Sequence, residues 1–133
     1  MSQENVEIVR DSLEALAAGG VEAMVPYFAA DVVIRPFPEW VEENEYHGHD
    51  GLRAIVGVWT ENFDDFELAI QEVREVGDRV LVLGETTGRI KGSGVPIRQP
   101  LGMVWSGFRD GKIGDQRNFL TWQQALEAVG LRD

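Results

Sequence analysis

Apolar positions along the chain follow two different periods, and the change falls near residue 63. In "SQENVEIVRDSLEALAAGG", Val6, Val9, Leu13 and Leu16 recur at three- and four-residue spacing with Ile8 and Ala17 beside them. That spacing predicts an amphipathic helix, with Ser2 as N-cap and Gly19–Gly20 as the left-handed stop. A short second helix is predicted in "VEAMVPYFAA", with Met24, Val25 and Phe28 inward. Pro26 lies too deep for a first-turn proline, so a kink or a late start is expected there. Asp31 leads into a short strand, "VVIRP", closed by Pro36, and a long loop follows over residues 36–49. A third helix is predicted from Asp50 to Phe63, with Leu52, Ile55, Val56 and Trp59 on one side.

Beyond it the period becomes two. "DFELAIQEVREVG" alternates at Phe66, Leu68 and Ile70, then loses register near Gln71–Val73, which predicts a β-bulge. Turns at Gly77–Asp78, "KGSG" and "RDGK" separate three further strands, giving a four-strand antiparallel meander. Thr121 and Gln124 form a capping box for a last helix, "WQQALEAVG", stopped by Gly130. Three helices with a lone strand among them, a meander and a final helix predict one α+β domain over residues 1–133. A bent antiparallel sheet wrapped by three N-terminal helices and a short C-terminal helix makes a cone with an internal pocket.

Composition narrows the chemistry. With 44% hydrophobic and 26% charged residues the chain reads as globular, and its 133 residues suffice for one core. The absence of cysteine excludes disulfides, thiolate metal sites and a cysteine nucleophile. A formal net charge of −11 repels phosphate backbones and anionic lipid, so neither nucleic acid nor membrane is expected as a partner. With no apolar run of spanning length and no basic-then-apolar leader, the expected location is the cytoplasm.

Three stretches in this order carry a family resemblance: "NVEIVRDSLEALAAGGVEAMVPYFAADVVI", "YHGHDGLRAIV" and "VWSGFRDGKIGDQRNFLTWQQALEAVGL". Together they resemble the SnoaL-like (polyketide cyclase) and ketosteroid-isomerase-like branches of the nuclear transport factor 2 superfamily, over essentially the whole chain. The resemblance implies the cone fold, a pocket for a small hydrophobic molecule, no cofactor, and a homodimer paired through the open sheet face. It does not imply a single activity, because this fold hosts isomerases, cyclases, dehydratases, epoxide hydrolases and non-enzymes.

Residue by residue, the proton-transfer groups of those relatives are replaced. Where ketosteroid isomerases carry a general-base aspartate before the proline, this chain has Arg35, which accepts no proton. Their second acid falls near Val104, which is apolar. The aspartate that epoxide-hydrolase-like and SnoaL-type relatives place on the last strand becomes Asn118, and the histidine two residues earlier becomes Gln116. The partnering positions of the epoxide hydrolases fall near Thr86 and Gly88. Amides keep hydrogen bonding but move no proton.

Asn118 and Gln116 are therefore the leading pocket candidates, with Thr86 and Val104 from the same comparison. Trp40, flanked by Phe37 and Tyr46 in the long loop, is expected to form an aromatic lid, with Trp59 either in the core or in the pocket wall. Arg98 either points inward as an anion hook or is a surface charge. A one-residue slip of the last strand would exchange Gln116 and Asn118 for Asp115 and Arg117. His49 and Asp115 are the acid–base candidates, while His47 and His49 lack a third ligand at metal spacing, so no metal is expected. The expected function is that of a small-molecule pocket protein. It is either a cofactor-independent isomerase, cyclase or hydratase acting on a polyketide-, terpenoid- or aromatic-like metabolite, or a non-catalytic binding or protein-interaction member.

Overall fold

A computed structural model describes residues 2–37 and 45–131, with side chains from Glu4 onward. Trp40 and the Ser2 cap lie outside the described side chains. The helical period at the front of the chain forms α1 (Ser2–Gly19), and Gly20, at φ 81, supplies the left-handed stop. α2 is a single turn, Val21–Met24, and Pro26 falls in the first positions of a 3-10 turn over Val25–Tyr27 rather than kinking a longer helix. Strand β1 (Phe28–Arg35) begins four residues before the "VVIRP" segment predicted from sequence. After β2 (Tyr46–His47), α3 runs Gly48–Asn62. The meander follows as β3 (Phe63–Val76), β4 (Arg79–Ile90), β5 (Pro96–Ser106) and β6 (Ile113–Phe119), and α4 closes the fold at Trp122–Ala128.

One six-stranded sheet has the order β2-β1-β6-β5-β4-β3, curved but not closed into a barrel. The lone strand is the main departure from the expected all-antiparallel sheet: β1 lies parallel to β6, with Phe28 beside Ile113 and Ile34 beside Gln116. A parallel pair needs a long crossover, and the whole meander between the two strands supplies it. The predicted bulge is present, with the β3–β4 register shifting between Ile70 and Glu72.

Strand alternation divides the apolar residues between two layers. Val80, Val82, Leu101, Met103 and Trp105 face α1 and α3 together with Val9, Leu13, Leu52 and Ile55. Leu81, Leu83, Val104 and Phe119 face the other way, onto Ala125 and Val129 of the α4 end of the chain. We call these the inner and outer faces. α4 sits close because residue 102 is glycine: a Cβ there would lie 2.5 Å from the Ala125 Cβ. Thr121 Oγ1 accepts the Gln124 backbone N–H at 3.1 Å, so the predicted N-cap is formed. No helix among the described residues is long and apolar enough to cross a membrane.

Candidate functional site

At the β6 end of the inner face, Gln116 and Asn118 are buried, at 8% and 9% exposure. The last strand therefore carries the register in which the amides, and not Arg117, point inward. Arg117 is exposed instead, its guanidinium 5.2 Å from the centre of the outer-face Phe119 ring. The two amides form a directed chain. Asn118 Nδ2 donates to the Arg35 carbonyl at 3.1 Å, leaving its Oδ1 to accept from Gln116 Nε2 at 3.4 Å. Gln116 Nε2 also lies 3.1 Å from Met103 Sδ. Each bond fixes the orientation of the next, because the backbone carbonyl can only accept. Directly across from Gln116 stands Trp105, 0% exposed and packed on Phe28, its indole N–H without a hydrogen-bond partner among the described residues. The amides thus tie β6 to β1 among buried core residues.

At the β3 end the same face opens. A groove of about 850 Å³ runs between α1, α3 and β3. Leu13, Leu16, Ala17, Val56, Trp59, Phe63, Phe66, Leu68, Ile70 and Val73 supply its apolar wall, and Arg10, Glu14, Arg53, Asp64, Asp65 and Glu67 also line it. Trp59 lies within 5.8 Å (centroid to centroid) of the Phe37, Phe63 and Phe66 rings. Several of the charges are already paired: Arg53 with Glu22 at 2.6 Å and Asp50 at 2.9 Å, Asp64 with Lys91 at 2.8 Å, and Asp65 with Arg89 at 3.6 Å. The Arg53 guanidinium, hydrogen-bonded to Glu22, holds that carboxyl below its ordinary range, and the Arg53 value is raised in return.

The groove and the amides do not meet. Val73 pairs with Val82, Val82 with Met103, and Met103 with Asn118, so three strand spacings separate the groove from the amide. At about 4.8 Å each this is about 14 Å. The two intervening side chains, Val82 and Met103, are buried core residues.

Among the described residues, Trp59 is the sequence candidate that lies in the groove. Thr86 is buried, its hydroxyl donating to the Gln99 carbonyl at 3.3 Å. Val104 packs on the outer face, opposite the amides it was expected to join, because alternation along β5 sends it to α4. Arg98 is 73% exposed, 3.7 Å from Glu85, and is a surface charge rather than an inward hook. Phe37 of the expected lid is a core residue, and Tyr46 packs half-buried at the β1 edge, opposite Ile34.

The acid–base candidates are also occupied. His49 Nε2 lies 2.9 Å from the Phe28 carbonyl, so that nitrogen is the protonated one. Asp115 is paired with Arg35, which also lies 3.5 Å from Glu45. His47 is 3.1 Å from Glu45, so the two histidines turn to different partners. Among the described residues no three His, Asp or Glu side chains group as metal ligands.

Sequence reasoning missed Phe63 and Asp65. The signal was present in "FDDF", where two phenylalanines three apart break the period-two pattern around a pair of turn-prone aspartates.

Comparison with known proteins matches residues 9–115 to the SnoaL-like domain. No curated protein matches the chain. Solved structures do. One is a protein of Catenulispora acidiphila with a ketosteroid isomerase-like fold, in complex with trimethylamine (20% identity, 94% of this chain and 93% of that one, TM-score 0.73). Another is a SnoaL-like polyketide cyclase assignment from Jannaschia sp. CCS1 (19% identity, 99% and 95%, TM-score 0.77). A third is TerC co-crystallised with polyporic acid (22% identity, 95% and 98%, TM-score 0.76). At these identities the similarity establishes the fold.

Proposed function

The chain belongs to the SnoaL-like domain family, and from that premise we propose that it is a small-molecule pocket protein for a hydrophobic metabolite of polyketide, terpenoid or aromatic type. The ligand lies in the groove between α1, α3 and β3, against Trp59, Leu13, Leu16 and Val56. The observation that carries this reading is the groove itself: about 850 Å³, with an aromatic and aliphatic wall left open at one end of a packed sheet. TerC, of the same fold, was co-crystallised with polyporic acid, and the proposal places a hydrophobic guest on this chain as well.

We read the groove as a binding site rather than a catalytic one: of the charges that line it, Arg53, Asp64 and Asp65 are paired with Glu22, Lys91 and Arg89, and the inner-face amides, which carry no titratable proton, are not part of its lining. Gln116 and Asn118 hold β6 against β1 in this reading. A homodimer paired through the open sheet face is part of the proposal, checked by sedimentation of the purified protein.

The groove is tested by filling it. Ala17 is exposed on the α1 side of the groove, so Ala17→Trp adds an indole without displacing core atoms. Calorimetry with naphthol as probe is expected to detect binding to the parent protein and none to Ala17→Trp, at an unchanged melting temperature. Equal affinity for both proteins would overturn the groove as the site, and conversion of the probe to a new product would overturn the non-catalytic reading.

A further inference from the structure

β3 carries one more residue than its partner at the groove. Asp64 pairs with Arg89 and Glu67 with Thr87, so three steps on β3 oppose two on β4. Within that extra length Asp65 takes φ 56, the left-handed region, which aspartate tolerates and β-branched residues do not. Strict alternation would send Phe63 and Phe66 to opposite faces. The extra residue brings both inward against Trp59, with centroids 5.7 Å and 5.3 Å away. The three rings lie near parallel: 27° between Trp59 and Phe63, 25° between Trp59 and Phe66, 30° between Phe63 and Phe66. Gly88 makes room beneath, since a Cβ there would fall 3.2 Å from the Asp64 carbonyl oxygen.

We propose that Asp65 is a positioning residue for the groove, whose bulge sets Phe63 and Phe66 beside Trp59 as a rack of near-parallel rings that selects a planar, conjugated ligand over a saturated one of equal size. This rests on the groove reading above. A flat π-system gains offset stacking on rings of common tilt, whereas a saturated guest gains only the burial of its area. Asp65 acts through its backbone. Its carboxylate is exposed, 3.6 Å from an exposed Arg89, and contributes little.

The test compares affinities for naphthol and decahydronaphthol, two bicyclic alcohols of the same carbon skeleton, by calorimetry. The parent protein should prefer naphthol by about tenfold, the upper range of one stacking contact. Asp65→Gly, which keeps the positive φ, should retain that preference. Asp65→Val should bring the ratio toward unity and alter the near-UV circular dichroism of the ring cluster. Should Asp65→Val fail to fold, Phe66→Leu carries the test: the preference should fall while decahydronaphthol affinity stays within about twofold. Equal binding of both probes by the parent overturns the ring rack and leaves the groove standing. A full preference in Phe66→Leu also overturns it. Binding of neither probe overturns the groove reading, and the inference with it.

Discussion

The two ends of the inner sheet face invert the usual guide to a binding site. The β6 end is polar and buried: Gln116, Asn118 and the Trp105 indole lie among Phe28, Ile34 and Met103, with Asn118 bonded to the backbone of β1. The β3 end is apolar and open: Leu16, Val56, Trp59 and Phe66 face the groove, with ion pairs such as Arg53–Glu22 at its rim. A buried amide whose partners are found within the protein, as those of Gln116 and Asn118 are, reads as structure. Apolar wall left uncovered by a protein that has packed its other end is the better marker of where a ligand goes. The difference has a cause in the sheet. β6 is flanked by strands on both sides, whereas β3 is an edge strand whose register with β4 is interrupted by bulges.

This contrast can be broken most forcefully at the buried end. Trp105→Ala removes a wholly buried side chain and should cost about 3–5 kcal/mol, measured by urea denaturation. A loss below about 1 kcal/mol would mean that the β6 end is not the packed one. Asn118→Leu should be milder, about 1–3 kcal/mol, because the Arg35 carbonyl loses its donor and Gln116 its acceptor. Naphthol affinity should be unchanged in that variant. Lost affinity at full stability would instead make Asn118 a ligand contact and erase the distinction between the two ends.

The smallest effect is expected at the groove rim. Arg53 depresses the Glu22 carboxyl below its ordinary value of 4.5, and a carboxyl with a lowered folded value stabilises the protein above its unfolded pKa. That contribution is lost as pH falls through the folded value. Glu22→Gln should therefore leave a melting curve near pH 4.5 and above slightly lowered, and should merge with the parent curve in stronger acid. Both side chains are solvent-exposed, so screening by salt should shrink the difference further. A gap between the curves that widens in acid would contradict the pairing.

Much of this molecule was legible in local pattern. Val6, Val9 and Leu13 announced α1, the slip after Ile70 announced a bulge, and Thr121 announced the start of α4. The structure places Gln116 and Asn118 inward, one of the two registers that the sequence left open for the last strand. Their role did not follow, since polarity at a familiar position cannot say whether the partner is a ligand or the Arg35 carbonyl. Val104 was misplaced because similarity to relatives gives the strand but not its face. Phe63 and Asp65 were overlooked because a single extra residue reverses the face of everything beyond it, and the break at "FDDF" interrupts the period without fixing which residue is the extra one.

The sequence alone thus determined the order of the helices and long strands, though not the two-residue β2, together with the apolar stripe of each and the family, consequences of backbone periods that repeat within a dozen residues. Tertiary structure decided that β1 lies parallel to β6, that the amides are spent on that junction, and that the face opens over β3. Those outcomes depend on which helix of finite length covers which strand, a contact between residues far apart in the chain that no local period encodes.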